Sequence, residues 1–348
     1  MELNAFCEFP WTRVRITSEG KVAMCCFQRQ DPLNSESAYI GSLLDNTFEE
    51  IWFSELADDI RASTMEGKLH KRCQVPGCPY LQMKAPYYAK KVVYDAFPTF
   101  LELDLPNTHC NVGLETPNAE HPACIMCERA GGPDVFKPET NRLQEVLPKL
   151  IHIVQNLKQI HIQGIAEPFY KGLFFEILDA LQFDRFADKI TISTTTNGTL
   201  FKPQVRQDYL RRVPHSITNF SIDAATPETF QKIRILPVFD KVLENLYAFS
   251  EERVRNRQFL RIHNNLNIHN VHEVMGMVAI AHKANVEYVE FNPTDGFNTE
   301  ILVNQKNCGL FKKAQEDIID ECKRLKVPVN FIRPLDMGMT DRLIQISF

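Results

Sequence analysis

The chain has 348 residues, of which 44% are hydrophobic and 24% are charged, and its formal net charge is −5. These values are ordinary for a globular protein and argue against a general electrostatic affinity for nucleic acids or membrane surfaces. No apolar run approaches the length of a membrane span, and the first residues lack the pattern of a signal peptide. We therefore expect a cytoplasmic protein whose ten cysteines act as ligands or catalytic thiols rather than as disulfides.

Residues 1–95 are predicted to form a small cysteine-rich α+β module. Residues 13–17 alternate between apolar and polar side chains and precede a turn and a second short strand, which predicts a β-hairpin. Thr47 and Glu50 have the spacing of a capping box, and the helical pattern that starts there ends at Gly67.

Four cysteines of this module have a spacing typical of metal ligands. Cys7 precedes the hairpin, Cys25 lies on its return strand, and Cys73 and Cys78 stand at the two ends of a turn. Neighbouring residues of a strand point to opposite faces, so Cys25 and Cys26 are not both expected to be ligands, and we choose Cys25. The spacing does not distinguish a zinc ion from an iron–sulfur cluster, and buried free thiols are the structural alternative.

From about residue 98 the chain alternates between strand and helix patterns, as parallel α/β proteins do. The predicted strands are 99–105, 158–164, 188–195, 217–223, 258–268 and 286–292, and the predicted helices are about 140–157, 169–182, 203–212, 227–251, 271–284 and 309–326. Asn270 with Glu273 predicts a capped start for one of these helices. Six units predict a partial (β/α)6 TIM-like barrel over residues 96–305, with its site at the carboxyl ends of the strands. Residues 306–348 would add a helix and a strand that complete or flank the barrel.

Three cysteines follow the first strand of the predicted barrel. Cys110 comes first, and Cys124 and Cys127 form a Cys-x-x-Cys pair. Three thiolates on one loop suit an iron–sulfur cluster that keeps one iron open for a substrate or cofactor. A zinc site with a fourth ligand elsewhere, or plain core cysteines, are the alternatives for these residues alone. The long segment Asn111–Ala123 between the first two cysteines is expected to form a lip on the barrel mouth.

Several separated motifs resemble those of the radical S-adenosylmethionine (SAM) superfamily. They are the three-cysteine loop, Gln163-Gly164-Ile-Ala-Glu167-Pro168, Ser193-Thr-Thr-Thr-Asn197-Gly198, and the stretch from Ser221-Ile-Asp223 to Arg234. The N-terminal module is similar to the twitch or SPASM auxiliary-cluster domains of the same superfamily. Four features depart from the family pattern. Met126 stands where the family often has an aromatic residue, and Gly164-Ile-Ala-Glu167-Pro168 lacks the second glycine. The first gap of the cysteine motif is thirteen residues rather than the family's Cys-x3-Cys, and the module precedes the barrel instead of following it.

The resemblance implies two clusters and a set of cofactor contacts. One [4Fe–4S] cluster, which binds SAM, would be held by Cys110, Cys124 and Cys127, and a second, auxiliary [4Fe–4S] cluster by Cys7, Cys25, Cys73 and Cys78. Glu167 would pair with the SAM ammonium and Arg234 with the SAM carboxylate, whereas a helix-capping carboxylate and a solvated arginine are the structural alternatives. The remaining predicted cofactor contacts are Gly164, Ser193, Thr195 and the backbone of Met126.

The resemblance also implies a reaction. Such an enzyme cleaves SAM reductively to a 5′-deoxyadenosyl radical, which abstracts hydrogen from the substrate, and a one-electron donor such as flavodoxin or ferredoxin would supply the electron. Arg261, His263, Asn265 and Asn267 share one strand face by period two, which predicts a polar lumen and a polar substrate. A peptide or amino acid is favoured by family analogy, with the auxiliary cluster assisting a net oxidation or crosslink. His263 is a candidate general base or a structural histidine.

Two cysteines near the C-terminal end have different interpretations. Cys308 follows the last barrel strand and is a candidate hydrogen donor or cluster ligand, against an ordinary loop thiol. A redox-neutral radical epimerase or a carbohydrate-modifying enzyme that uses Cys308 is therefore an alternative function, and a non-enzymatic zinc-binding protein is an alternative of another class. Cys322 shares an apolar helical face with Ala314 and Ile318, so we expect it in the core.

Overall fold

The computed structural model describes residues 2–5, 7–25, 39–74, 78, 90–93, 96–106, 124–127, 140–164, 166–294, 299–331 and 344–346. The chain divides into two compact units. Unit 1 comprises Met1–Pro106, Glu139–Gly164 and Gly172–Ile192, and unit 2 comprises Asn107–Pro138, Ile165–Lys171 and Ser193–Phe348. Within these described ranges, no helix combines the length and the apolar character that crossing a bilayer requires. The domain limits predicted after residues 95 and 305 stay predictions.

Unit 1 contains a short mixed sheet and the helices that cover it. Its strands are β1 (Glu2–Ala5), β2 (Arg13–Ile16), β3 (Lys21–Ala23), β4 (Gly41–Ser42), β5 (Lys90–Val93), β6 (Phe100–Asp104) and β7 (Gln159–Gln163). Its helices are α1 (Phe9–Thr12), α2 (Phe48–Trp52), α3 (Glu55–Met65), α4 (Leu143–Val146), α5 (Ile151–Val154) and α6 (Leu173–Ala180). The strands lie in the order β4-β3-β2-β6-β7, and β1 pairs separately with β5.

The predicted hairpin is confirmed, and it is joined to the first strands of the α/β pattern. β2 and β3 pair antiparallel, whereas β2 runs parallel to β6, and β6 runs parallel to β7. Val14, Ile16, Leu101 and Leu103 alternate on one face of these strands and are almost fully buried. The cysteine-rich segment therefore extends the parallel sheet of unit 1 by one strand, β2.

Unit 2 contains a run of parallel strands with helices between them. β8 (Thr191–Thr196) begins at the end of unit 1 and continues into unit 2, and the later strands are β9 (Ser216–Ser221), β10 (Gln258–Leu266), β11 (Tyr288–Pro293), β12 (Val329–Phe331) and β13 (Ile344–Ile346). The helices are α7 (Pro203–Arg212), α8 (Pro227–Arg234), α9 (Phe239–Glu252), α10 (Val274–Lys283) and α11 (Cys308–Leu325). β9 to β12 are parallel neighbours in chain order, and β13 pairs antiparallel with β12. The predicted α/β class with a parallel sheet is confirmed.

The strands of unit 2 have one buried and one more accessible face, as period two requires. In β10, Leu260, Ile262, Asn264 and Leu266 are buried, and Arg261, His263 and Asn265, which alternate with them, are only partly buried. Behind the buried face lies an aromatic cluster in which ring centroids stand 4.9–6.2 Å apart; its members are Phe169, Phe201, Tyr209, Phe220 and Phe249. The accessible face is therefore the one that carries the polar chemistry.

Three predicted helices are interrupted. The helical pattern that starts at Thr47 divides into α2 and α3, because Ser54 caps the start of α3 by accepting the amide of Ala57. The helix predicted over 227–251 ends at Arg234, because Ile235 adopts a left-handed conformation with φ of 60° and Pro237 follows. The helix predicted over 140–157 is divided into α4, a 3-10 turn that contains Pro148, and α5. In the last two cases a proline within the apolar pattern breaks the helix.

The predicted capping box of Thr47 and Glu50 is confirmed by two reciprocal side-chain hydrogen bonds. The predicted cap formed by Asn270 and Glu273 is wrong. The carboxylate of Glu273 instead accepts hydrogen bonds from the backbone amides of Ala225 and Thr226, at the N-terminal end of α8. Asn270 uses its amide to bind the backbone carbonyl oxygens of Asp223 and Asn265, so it fixes a loop rather than a helix start.

Candidate functional site

Glu167 is a buried carboxylate in unit 2 with two hydrogen-bond donors at the end of β8. The hydroxyl of Thr196 donates to its Oε1 at 2.6 Å, and the backbone amide of Asn197 donates to its Oε2 at 2.9 Å. Two residues further along the chain, Phe169 packs into the aromatic cluster, with its ring centroid 4.9 Å from that of Phe201. The loop after Gly164 is thus anchored by Phe169, and the carboxylate of Glu167 is held in a fixed position.

Burial raises the pKa of Glu167 to about 7, because removal from water penalises the charged carboxylate more than its donors stabilise it. The charge of Arg234 acts in the opposite direction and lowers the same pKa, which places this guanidinium within electrostatic reach of the carboxylate. A buried carboxylate with a raised pKa is a favourable partner for an additional cation.

Arg234 is buried at the last turn of α8. Its Nη2 forms an ion pair with the carboxylate of Asp223 and donates a hydrogen bond to the hydroxyl of Ser221. Asp223 is fully buried and has a φ of 62°, and its Oδ1 accepts the backbone amide of Asn265 at 2.6 Å. The guanidinium is therefore oriented by β9 and the loop that follows it. Its predicted role toward a SAM carboxylate stays a prediction.

The Cys-x-x-Cys segment forms a turn that contacts the end of α8. The amide of Cys127 donates to the carbonyl of Cys124 at 2.9 Å, and the amide of Ile125 donates to the carbonyl of Ile233 at 3.0 Å. The thiol of Cys124 lies 3.9 Å from the backbone oxygen of Arg234. Cys124 is buried, and Cys127 and the intervening Met126 are partly exposed. The turn thus holds the thiol of Cys124 against the backbone of Arg234, the last residue of α8. Cys110 and the segment Asn111–Ala123 lie outside the described residues.

Ser193 and Thr195, the predicted ribose contacts, lie on the face of β8 opposite to that of Thr194 and Thr196. Ser193 is buried, and Thr195 is partly exposed. The contacts of Thr196 and Asn197 with Glu167 were not predicted. The alternation of side chains along a strand shows which face each residue occupies, but not what the last residues of the strand bind. The polar end of the stretch Thr194-Thr-Thr-Asn197, directly after a strand, is the signal that would have drawn attention to them.

Gly164, in unit 1, has a structural reason to be glycine. Its φ is 145°, and a Cβ atom at this position would lie 2.9 Å from the backbone nitrogen and oxygen of Leu105. The amide of Leu105 in turn donates to the carbonyl of Gln163 at 2.6 Å. This close approach extends the parallel pairing of β6 and β7 to the residue where the loop begins. A direct contact of Gly164 with a cofactor stays a prediction.

A polar network covers one face of the sheet in unit 1. Arg15 of β2 donates through Nε to Asp104 at 2.8 Å and lies 3.7 Å from Glu102, both on β6. Gln163 of β7 donates to Glu102 and is bonded at 2.9 Å to His161. Both carboxylates are buried, and these donors satisfy their oxygen atoms. Asp104 also raises the pKa of Arg15, an effect that outweighs the opposing effect of burial.

The polar face of the sheet in unit 2 is arranged in rows across the parallel strands. One row contains Asn219, Arg261 and Tyr288, and the next contains Ser221, His263, Glu290 and Asn330. We call this surface, which also includes Asn265 and Asn292, the polar face of β9–β12. It matches the predicted polar strand face, except that β10 ends at Leu266 and Asn267 lies beyond it, buried in the following loop.

His263 is part of a hydrogen-bonded dyad on this face. Its Nδ1 lies 2.6 Å from Oε1 of Glu290, and its Nε2 lies 3.2 Å from Oδ1 of Asn265. Burial alone would lower the pKa of His263, but the hydrogen bond and negative charge of Glu290 outweigh it, so the pKa is raised. Such a histidine favours the protonated form and acts more readily as a donor than as a base. The role of His263 as a general base stays a prediction.

The cysteines of the N-terminal module partly come together in unit 1. Burial, with a smaller contribution from the charges of Cys73 and Cys78, raises the pKa of the Cys7 thiol to about 12, so both of these cysteines lie within electrostatic reach of Cys7. β3 ends at Ala23, so Cys25 lies two residues beyond the predicted return strand, where it is partly exposed. Cys26 lies outside the described residues. In the part of the chain that the structure describes, no three His, Cys, Asp or Glu side chains converge on a single metal ion. The thiols of Cys7, Cys73 and Cys78 suit a cluster, whose several irons keep its ligands further apart than those of one ion.

Cys308 and Cys322 both lie on α11. Cys322 is fully buried, and burial raises the pKa of its thiol to about 12, so the prediction that it belongs to the core is confirmed. Cys308 is the first residue of the helix rather than a loop residue, and its thiol lies 3.4 Å from the backbone oxygen of Gln305. Its role as a hydrogen donor or cluster ligand stays a prediction.

Comparison with known proteins adds a family match at the N-terminal end. Residues 7–79 match the family model of SPASM, an iron-sulfur cluster-binding domain, over a stretch that includes all four predicted auxiliary ligands. The predicted iron–sulfur module is thereby confirmed. No curated protein sequence matches the chain.

Solved structures resemble the chain at low sequence identity. Streptococcus suis SuiB bound to S-adenosylmethionine is 13% identical, with a TM-score of 0.50 over 91% of this chain and 70% of SuiB. The protein anSMEcpe with bound AdoMet and Cp18Cys peptide is 19% identical, with a TM-score of 0.47 over 64% of this chain and 58% of anSMEcpe. A radical SAM methyltransferase from Sphaerobacter thermophilus is 14% identical, with a TM-score of 0.43 over 64% of this chain and 66% of the methyltransferase. The chain spans less than two thirds of the last two proteins. The likeness to SuiB supports the predicted α/β fold.

Proposed function

We propose that the chain is a radical SAM enzyme that abstracts hydrogen from a polar substrate, with a peptide or amino acid favoured. The observation that carries the proposal is a set of complementary charges in unit 2. The buried carboxylate of Glu167 and the buried guanidinium of Arg234 lie within electrostatic reach of each other, and Arg234 adjoins the turn that holds Cys124. This arrangement is complementary to an amino acid group, with its ammonium toward Glu167 and its carboxylate toward Arg234.

The residues present fit the cofactors that this function needs. Cys124 and Cys127, with Cys110, would hold a [4Fe–4S] cluster, and Cys7, Cys25, Cys73 and Cys78 would hold the auxiliary cluster. When bound, the first cluster and SAM would together supply a 5′-deoxyadenosyl radical. The chain's own part is to bind and orient: Thr196 and Asn197 fix the carboxylate of Glu167, and Asp223 fixes the guanidinium of Arg234. Both groups are buried, and the low dielectric around them strengthens their electrostatic interaction with an amino acid group.

The polar face of β9–β12 supports a polar substrate. His263, Glu290 and Asn265 form hydrogen bonds with one another while remaining partly exposed. Partly exposed polar groups that are held in position suit recognition of a hydrogen-bonding substrate better than of an apolar one. The auxiliary cluster would accept an electron in a net oxidation or crosslink, and flavodoxin or ferredoxin would be a suitable electron donor.

The test is anaerobic SAM cleavage by the full chain, reconstituted with iron and sulfide and reduced with dithionite, with 5′-deoxyadenosine measured by mass spectrometry. We expect the wild-type chain to form 5′-deoxyadenosine, and Glu167→Gln and Cys127→Ser to lose at least 90% of that rate. Glu251→Gln, which changes an exposed glutamate of α9, is the matched control and should retain it. Absence of 5′-deoxyadenosine from the iron-loaded wild-type chain would contradict the proposal.

A further inference from the structure

The charged groups on the polar face of β9–β12 and in the loop beside it are paired, with one exception. Glu290 is paired with His263 and also accepts a hydrogen bond from Asn330 at 3.1 Å. Asp223 is paired with Arg234. Arg261 lies in the row next to Glu290, and it has no carboxylate partner within the described residues. One positive charge on this face is therefore left without a counter-charge.

Tyr288 holds the side chain of Arg261 in place, by ring stacking and a side-chain hydrogen bond, without satisfying all of its donors. The guanidinium lies over the ring of Tyr288, 4.4 Å from the ring centroid. Stacking of this kind orients the plane of the guanidinium and leaves its N–H edges available for an acceptor. Its Nε is buried and has no hydrogen-bond partner among the described residues. A buried donor on a charged group is costly to leave unsatisfied, so an acceptor is expected there.

A second unsatisfied group on the same face has the opposite polarity. Asn330 is buried, and its Nδ2 donates to Glu290, but its Oδ1 has no partner in the described part of the chain. Asn330 lies two strands and one row away from Arg261 in the register. From ordinary strand spacing and rise, the two backbone positions are roughly 12 Å apart. A ligand that satisfies both groups is therefore extended, and it carries an anionic acceptor at one end and a donor at the other.

We propose that Arg261 is the carboxylate-binding subsite of the substrate site, and that the substrate is a peptide with an acidic group there and a backbone N–H near Asn330. An acidic peptide offers both groups at this separation, whereas a single small anion would satisfy only Arg261. The inference rests on the proposed function, since it names the substrate class of the same enzyme. The carboxylate belongs either to an acidic side chain or to the C-terminal end of the peptide, which share one chemistry.

The experiment measures the binding of defined peptides to the reconstituted full chain by calorimetry at pH 7. Three peptides are compared: Gly-Gly-Glu-Gly-Gly blocked at both ends, its Gln counterpart blocked at both ends, and the Gln counterpart with a free C-terminal carboxylate. We expect at least one carboxylate peptide to bind about tenfold more tightly than the blocked Gln peptide, as a charge-assisted hydrogen bond implies. A preference for the first identifies an acidic side chain, and a preference for the third identifies the C-terminal end.

Variants test whether Arg261 is responsible. Arg261→Gln should abolish the preference, and Arg261→Lys should retain part of it, because the charge remains without the fork of donors. Arg255→Gln, which changes an exposed arginine before β10, is the matched control and should keep the full preference. Equal binding of all three peptides, binding of none, or a preference that survives Arg261→Gln in a folded protein would overturn the proposal.

SAM cleavage measured in the same samples separates the two proposals. Cleavage without a carboxylate preference removes the subsite and leaves the radical function intact. A carboxylate preference without SAM cleavage by the iron-loaded chain removes the radical function and leaves the subsite as a peptide-binding feature.

Discussion

The hydroxyl of Thr196 donates to the carboxylate of Glu167 at 2.6 Å and accepts the backbone amide of Gly198 at 3.0 Å. One side chain thus links the end of β8, the turn that follows it and the buried acid. The position of this acid therefore depends on Thr196. Glu167 is the residue proposed to receive the ammonium of SAM, so we expect SAM binding to depend on Thr196 as well.

Thr196→Val tests this dependence. The substitution keeps the shape and the β-branching but removes the hydroxyl, so we expect the Kd for SAM to rise about tenfold with little loss of fold. Binding is measured by equilibrium dialysis with the reconstituted protein. Thr191→Val, at the other end of β8, is the matched control and should leave the Kd unchanged. An unchanged Kd in Thr196→Val would mean that the hydroxyl does not position the acid.

The pKa of Glu167 predicts a pH dependence of stability. The pKa is about 7 in the folded chain, against an ordinary value of 4.5, so the folded state binds the proton more tightly than the unfolded state does. This contribution to the free energy of unfolding is full below pH 4.5, is lost as the pH rises to about 7, and is constant above that. The loss corresponds to about 3 kcal/mol.

Urea unfolding of the wild-type chain and of Glu167→Gln between pH 4 and pH 8 measures this effect. We expect the difference in unfolding free energy between the two proteins to change in favour of the Gln variant as the pH rises, because glutamine does not titrate. SAM, whose ammonium favours the ionised carboxylate, should bind more tightly as the pH rises through 7. A pH-independent difference between the two proteins would show that Glu167 is not a titrating buried acid.

Gly164→Ala tests the close approach of two backbones. A Cβ at this position meets the backbone of Leu105 at 2.9 Å and also requires a φ of 145°, so we expect a destabilisation of more than about 2 kcal/mol in thermal or urea unfolding. Gly67→Ala is the matched control. Gly67 has a φ of 75° with no atom within 4 Å of the added Cβ, so it carries only the conformational cost of about 1 kcal/mol. Equal effects of the two substitutions would show that the contact with Leu105 does not contribute to the free energy of unfolding.

Arg15→Met tests the connection between the cysteine-rich segment and β6. The substitution leaves Asp104 and Glu102 buried without their guanidinium, and breaking a buried pair on one side typically costs about 3–5 kcal/mol. Arg13→Met, on the same strand, removes a guanidinium that stacks 4.2 Å and 4.5 Å from the ring centroids of Phe9 and Phe100, and we expect it to cost about 1 kcal/mol.

The double variant Arg15→Met with Asp104→Leu completes the test of Arg15. Removing both partners relieves the uncompensated charge, so the double variant should be more stable than Arg15→Met alone. Additive destabilisation in urea unfolding would contradict a direct pairing of Arg15 with Asp104.

Much of the fold was predictable because it depends on local patterns. The strands of the α/β pattern begin and end within three residues of their predicted limits, since apolar alternation and turn residues mark them. The helix break at Ile235 was also marked, by Pro237, but the apolar pattern on both sides obscured it. Local signals of this kind are present in the sequence even where the prediction missed them.

The site was predictable only as far as motifs reach. Glu167 and the Cys-x-x-Cys pair belong to recognisable motifs, whereas the pairing of Arg15 with Asp104 joins residues 89 positions apart. Parallel pairing of β2 with β6 creates that contact, and no local pattern specifies it. The dyad of His263 and Glu290 arises in the same way, from the register between β10 and β11. Pairwise contacts across strands therefore had to come from the structure.

The most direct test of the central claim is the iron content and absorbance of the full chain purified without oxygen. If the chain holds two [4Fe–4S] clusters, the wild-type protein is brown and contains about eight irons per chain, and Cys127→Ser and Cys73→Ser each contain about four. Colourless protein that contains zinc in place of iron would contradict the account of the chain as a radical SAM enzyme.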